Sequence, residues 1–314
     1  MKKHNYPQSL FSNDEVKKIL SWIEKLVLNT GTRLTGTAGC RKASEIIYQT
    51  LEEVCHSVNQ EDFIHHRDAF LSFFKLMTIS YIIALLSLWF GGIANYLAAF
   101  VMVFVSIATL FEFVFYRKFL DPLFKMTEGR NIIGRIEPEE EVSQTLIFSA
   151  HYDSPYVFHY LQNIQKNYIL IVIMTLLFYF FGLFLSIAAM LFQFLSTVPF
   201  SIGLSWICGM AVGLFFILPY YFFITDEVSP GAGDNLIAVS ILLQLAEYFN
   251  KRENALQNTE LVFLITDAEE SGLRGARAFV KENYNQITAT PHYNYNMDSL
   301  FSANHLTFLT SDIN

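Results

Sequence analysis

The sequence predicts an α/β domain, a mostly parallel sheet flanked by helices, with two transmembrane helical hairpins inserted into it. Three observations predict this. Helical and strand-like patterns alternate through the polar parts of the chain, as they do when strands are joined by covering helices. Hydrophobic residues make up 53% of the 314 residues and charged residues only 16%, and the excess is confined to four long runs. Acidic side chains and one histidine gather just after strand-like runs, where open α/β sheets build their sites.

Taken in order, Ser12-Asn13-Asp14-Glu15 has the spacing of a capping box ahead of an amphipathic helix over 16–27, and a second helical pattern covers 39–53. The first charged stretch lacks the apolar core of a cleaved signal peptide, so none is expected. Residues 70–90 and 93–115, joined by Gly91-Gly92, are each long enough for a bilayer core, which needs roughly 20 helical residues. Strands are expected over 131–136 and 145–150, the second leading directly to His151. Two further spans cover 168–191 and 202–224, linked by an uncharged stretch with Gln193, Ser196, Thr197 and Pro199. A helix over 235–249, a buried strand over 260–266, a helix over 275–283 and short strands over 293–297 and 306–309 complete the reading. The split domain is thus 1–69, 117–167 and 225–314, and the hairpins are 70–116 and 168–224.

Two hairpins return the chain each time to the side it left, so all chemistry is expected in one compartment. Arg67, Lys75, Arg117, Lys118, Lys125 and Lys166 lie at the domain-side ends and neither far-side turn carries Lys or Arg, which assigns the domain to the cytoplasm. Lys75 and Glu112, the charges inside the runs, are expected to pair or snorkel at similar depth. Gly209-x-x-x-Gly213 suits helix packing. The net charge of -8 excludes a nucleic-acid footprint, and three cysteines without a C-x-x-C pair argue against a disulfide framework.

The chemistry-bearing residues are His151-Tyr152-Asp153, Asp234-Asn235, Glu269-Glu270 and Asp298. A neutral imidazole is a common zinc ligand and needs an acceptor on its other nitrogen, which Asp153 could supply. Asp234 follows Pro230-Gly231-Ala232-Gly233; it suits an N-cap for the following helix, and equally a carboxylate bridging two cations. Glu269 and Glu270 crowd one strand end with Asp267, a repulsion that a divalent cation removes, and adjacent side chains can divide into a ligand and a general base. His56, His65, His66, His159, His292 and His305 read as surface or packing residues.

In this order the motifs resemble the M28 zinc aminopeptidases. Thr32-Arg33-Leu34-Thr35-Gly36-Thr37 is similar to that family's N-terminal signature, Ser149 to Ser154 to its H-x-D strand end, Pro230 to Asn235 to its bridging-aspartate segment, Asp267 to Ala276 to its double-glutamate motif, and Asn296-Met297-Asp298 to its last acidic ligand. The resemblance implies a zinc-peptidase-like fold, two zinc ions and a peptide substrate. It implies that His151 and Asp298 hold one zinc and Glu270 the other, with Asp234 bridging. Asp153 would orient His151, and Glu269 would be the general base. It also implies a final histidine ligand well beyond Asp298; the sequence stops 16 residues after it, at Asn314, and so reads as the front of a longer protein. The alternatives are a catalytically silent receptor or scaffold on the same fold, a zinc-dependent glutaminyl-cyclase-like acyltransferase, and a transporter acting through the four helices.

Overall fold

The computed structural model describes residues 12–195 and 200–300, with Thr307 and Leu309. Along the chain come α1 (Asn13–Thr30), α2 (Ala38–Glu52), β1 (Ser57–His65), α3 (Phe73–Phe90), α4 (Ala94–Thr109), β2 (Thr127–Ile136), β3 (Gln144–His151) and β4 (Tyr156–Phe158). They are followed by α5 (His159–Ile164), α6 (Tyr168–Phe194), α7 (Phe200–Tyr221), β5 (Ile224–Val228), α8 (Ile237–Phe249), β6 (Thr259–Thr266), α9 (Arg274–Ile287) and β7 (His292–Asn296). Ser196, Thr197 and Pro199 of the expected link lie outside the described residues. So does most of the strand expected over 306–309, of which Thr307 and Leu309 have no regular structure. These elements form two compact units: the described residues up to His65, Met126–Pro155 and those from Val228 onward make the first, and His66–Lys125 with Tyr156–Glu227 make the second. Residues 66–69, 117–125, 156–167 and 225–227, expected from the sequence in the α/β domain, group with the apolar helices.

In the first unit α1 starts where the capping box places it. The Glu15 carboxylate accepts the Ser12 amide at 2.7 Å, and the Ser12 hydroxyl accepts the Glu15 amide at 3.3 Å. Five strands form one sheet in the order β1-β2-β6-β3-β7. Strand side chains alternate between its faces. Ile132, Ile136, Ala150, Leu261, Phe263 and Ile265 pack with Leu26 of α1, Ile47 and Leu51 of α2, and Leu242 and Leu243 of α8. Ile133, Ile147, Val262 and Leu264 point the other way, onto Phe279 of α9. Cover on both faces is why β6 reads as an unbroken apolar run.

The sheet is mixed, which corrects the expectation of mostly parallel pairing. β6 pairs parallel with β3, and β3 parallel with β7, but β1–β2 and β2–β6 are antiparallel. The expectation missed β1 because its sequence, Ser-Val-Asn-Gln-Glu-Asp-Phe-Ile-His, is that of a polar, half-exposed edge strand without an apolar run, and the apolar pattern of β2 carries no signal of its direction relative to β6. The parallel trio nevertheless aligns its carboxyl ends, with His151 opposite Thr266 and Ser149 opposite Asn296.

The second unit packs α3, α4, α6 and α7 around Met77, Tyr81, Ala98, Met102, Tyr179, Met210 and Ile217, while Phe90, Phe100, Phe184 and Phe215 remain exposed outside. Helices apolar on every side suit a membrane or a larger core. Four segments, Phe70–Phe90, Ala94–Val114, His159–Phe194 and Gly203–Tyr221, are long and apolar enough to cross a membrane. Glycine allows the closest approaches: a Cβ on Gly213 would come 2.2 Å from the Tyr81 hydroxyl oxygen, and one on Gly209 would touch Phe181. The buried Glu112 carboxylate accepts the amides of Phe119 and Leu120, both at 2.9 Å, and the Lys75 ammonium lies 5.8 Å from the centre of the Tyr221 ring. All three cysteines are free.

Candidate metal centre

Three of the segments singled out in the sequence meet at the carboxyl edge of β3, β6 and β7, and the fourth joins them from the loop before α8. His151 is the last residue of β3 and is buried. Its Nδ1 lies 3.3 Å from the Asp153 carboxylate, out of line for a good hydrogen bond. Its Nε2 faces Asp234 at 3.1 Å, Asp298 at 3.5 Å and Glu269 at 3.8 Å.

Asp153 does more than back the histidine. Fully buried, it accepts the Glu269 amide on Oδ1 at 3.1 Å and the Glu270 amide on Oδ2 at 3.2 Å. The carboxylate of one segment thereby fixes the backbone that carries both glutamates. Ala268, just before them, has φ 56°, a left-handed conformation that costs a non-glycine residue energy and needs such support.

Asp234 does not cap α8, which begins at Ile237 with no side-chain cap. It sits in a kinked stretch with φ -128° and ψ 89°, followed by a cis peptide bond to Asn235, and turns its carboxylate to His151. The Asn235 side chain donates to the Met297 carbonyl at 2.9 Å and accepts the Ser299 amide at 3.3 Å. The residue after one acidic side chain thus clasps the loop carrying another, Asp298. Sequence reasoning gave Asn235 no role, because an asparagine at a helix start ordinarily signals nothing beyond a cap.

Asp267, expected to crowd the glutamates, instead turns to the other side. It accepts the Arg130 amide at 3.2 Å, its neighbour Ala268's amide at 2.7 Å and the Cys40 thiol at 3.4 Å. Burial, reinforced by Asp153, pushes it up to about 7. Burial, with neighbouring carboxylates adding to it, raises Glu269 to about 7 and Glu270 to about 9. Asp298 is pulled below its ordinary value, chiefly by its hydrogen bond to His151. The His151 imidazolium is favoured despite burial because Asp153, Asp234 and Asp298 surround it.

The donor set fits a divalent cation. His151, Asp234 and Glu270 each offer a ligand atom, all within 4.8 Å of one another. Zinc–nitrogen and zinc–oxygen bonds of about 2.0–2.2 Å in tetrahedral geometry place neighbouring donors about 3.4 Å apart. The distances from Nε2 to Asp234 and Asp298, 3.1 and 3.5 Å, bracket that value. Even an imidazolium turns only one Nε2 proton toward Asp234, Asp298 and Glu269, and a cation there would engage all three. Among the described residues no other histidine joins such a group. His65 is buried against the Thr35 hydroxyl at 3.2 Å, His66 contacts the Phe124 carbonyl, and His305 lies outside the described residues.

Fold and site together define an α/β domain with a histidine and several carboxylates gathered at the carboxyl edge of its sheet, a candidate cation site. Residues 220–313, which carry Asp234, Glu269, Glu270 and Asp298, match peptidase family M28. No curated protein matches the chain. Among solved structures it is similar to a glutaminyl cyclase from Fimbriiglobus ruber, at 12% identity and a TM-score of 0.48, covering 95% of this chain and 65% of that one. It is similar to a Zn-dependent exopeptidase from Parabacteroides distasonis, at 14% identity and a TM-score of 0.46, covering 90% and 61%. A leucine aminopeptidase precursor from Bacteroides thetaiotaomicron aligns at 11% identity and a TM-score of 0.47, covering 94% and 66%. The chain thus spans less than two thirds of the length of these structures.

Proposed function

We propose that this chain is a membrane-anchored zinc peptidase, an aminopeptidase, that hydrolyses peptide bonds at a two-metal site. The observation that carries the reading is His151 Nε2 facing Asp234, Asp298 and Glu269 with Asp153 behind the ring. His151 and Asp298 would hold one zinc, Glu270 the other, and Asp234 both. Zinc bound there supplies polarisation of the scissile carbonyl and a lowered pKa for the attacking water. Glu269, raised by burial to about 7, is suited to take the water's proton and return it to the leaving amine. Asp153, 3.3 Å from Nδ1, would hold the His151 proton on that nitrogen when Nε2 ligates. The four apolar helices would anchor the protein, and the Lys and Arg at their domain-side ends favour a cytoplasmic catalytic unit.

The test is purified protein assayed with aminoacyl anilides and, in parallel, with peptides bearing an N-terminal glutamine. Expected is amine release from the anilides that a chelator abolishes and zinc restores. Cyclisation of the glutaminyl peptides without anilide hydrolysis would assign the acyltransferase reading instead, and bound zinc with neither reaction would assign a silent relative. Extraction of the chain from membranes by alkaline carbonate would refute the anchoring.

A further inference from the structure

The side chain that does most to join the segments of the site touches none of the candidate ligands. Arg33 is fully buried, yet every hydrogen bond of its guanidinium runs to a backbone carbonyl. Nε donates to Tyr152 at 2.8 Å, one terminal nitrogen to Pro230 at 2.9 Å and Gly31 at 3.0 Å, and the other to Gly231 at 3.1 Å. Tyr152 lies between His151 and Asp153, and Pro230-Gly231 leads into Asp234. The Arg33 backbone adds two bonds, its amide donating to the Ser154 hydroxyl at 2.7 Å and its carbonyl accepting the Ser154 amide at 3.1 Å.

We propose that Arg33 is a positioning residue that sets the distance between the His151–Asp153 segment and the Asp234 segment, and through it the affinity of the metal site. The inference rests on the zinc-site reading above. Only a planar fork with five donors reaches three separate stretches of backbone at once; a lysine ammonium is a single point with three donors. Burying a charge is expensive unless hydrogen bonds satisfy it. Burial lowers Arg33 to about 10, which leaves it charged at neutral pH, with Asp153 among the nearby groups that favour the charge. The partner loop is shaped to receive it: Gly231 has φ +59°, and a Cβ there would come 2.7 Å from a guanidinium nitrogen and 3.0 Å from the Ser154 Cβ.

Arg33→Lys keeps a positive charge and loses the fork; Gly231→Ala keeps the guanidinium and displaces the loop, so it serves where Arg33→Lys does not fold. Zinc affinity is read by competition with a colorimetric chelator, and melting temperature is measured with and without zinc. Expected is zinc binding weaker by about 10–100-fold, the range for residues that orient ligands, and a smaller zinc-induced rise in melting temperature. A merely structural role would lower the metal-free and zinc-loaded melting temperatures equally and leave affinity unchanged, which overturns the proposal. Failure of the unsubstituted protein to bind zinc overturns the metal-site reading itself, and this inference with it.

Discussion

Replacing Asp153 by asparagine exchanges one oxygen for an NH2 group and forces a choice. The carboxylate accepts two amides, from Glu269 on Oδ1 and Glu270 on Oδ2, and lies 3.3 Å from His151 Nδ1. The substituted side chain would have a single acceptor oxygen. With that oxygen in the Oδ1 position, the Glu269 amide and His151 keep their partner and the Glu270 amide faces an NH2 group. With the amide turned over, the Glu269 amide is orphaned and the NH2 donates to Nδ1, which moves the histidine proton to Nε2, where it blocks metal binding. Either way one buried N–H is left without an acceptor, at a cost of about 1–3 kcal/mol, and the surviving bond loses its charge assistance, worth about 1 kcal/mol more. Asp153→Asn should therefore lower unfolding stability by about 2–4 kcal/mol and weaken zinc binding by about 10–100-fold. Denaturant unfolding of the metal-free protein and chelator competition read the two effects. Stability within about 0.5 kcal/mol of the parent, the usual scatter for a substitution without consequence, together with unchanged zinc affinity would refute the role given to Asp153.

Glu269→Gln should leave zinc stoichiometry unchanged and reduce turnover by about 10²–10⁴-fold, the range for a lost general base; retained turnover moves the proton transfer elsewhere. Asn235→Leu removes both bonds to the loop of Asp298 and should weaken zinc binding while far-ultraviolet dichroism stays the same, and equal affinity would deny the clasp. Gly275→Ala places a Cβ 2.1 Å from the Asp267 carbonyl oxygen and 2.6 Å from the Asn131 side chain, so denaturant titration should show a loss of about 1–3 kcal/mol. For pH, Glu269 and Glu270 have folded values of about 7 and 9, above the ordinary 4.5, so their protonation favours the fold. That stability is full below about pH 4.5 and is lost as pH rises through 7 and 9. The melting temperature of chelator-treated protein should fall across this window and zinc should remove the fall; a flat or rising profile without metal would contradict the burial of these groups.

The sequence made the fold legible where apolar pattern and strand direction are linked, and hid it where they are not. β3 and β6 are covered on both faces, so their apolar runs stand out and their ends locate His151 and Glu269 directly. β1 is a polar edge strand, and no turn joins it to β2, since residues 66–126 intervene; neither its existence nor its antiparallel direction leaves a local signal. The candidate site was visible in the sequence because a histidine and carboxylates at several strand ends are hard to explain by solvation alone. α8 starts two residues later than its pattern predicts because Asp234 and Asn235 favour a cap in isolation, whereas here, with contacts to His151, Met297 and Ser299, both have non-helical backbone angles.

Within the site, what escaped the sequence is polar side chains that grip the backbone of another segment. Asp153 holds the amides of Glu269 and Glu270, and Asn235 holds Met297 and Ser299. Such bonds have no pattern in sequence, because the partner is a peptide group that every residue carries. They tie the segments that carry Asp234, Glu269, Glu270 and Asp298 to one another. Carboxylates on free loops would separate under their own repulsion; here separation requires breaking charge-assisted hydrogen bonds to buried amides as well. Burial, with this repulsion added to it, raises the proton affinity of Glu269 and Glu270. A cation bound by these carboxylates displaces those protons, so zinc uptake should release protons and grow tighter as pH rises from about 6 to 8.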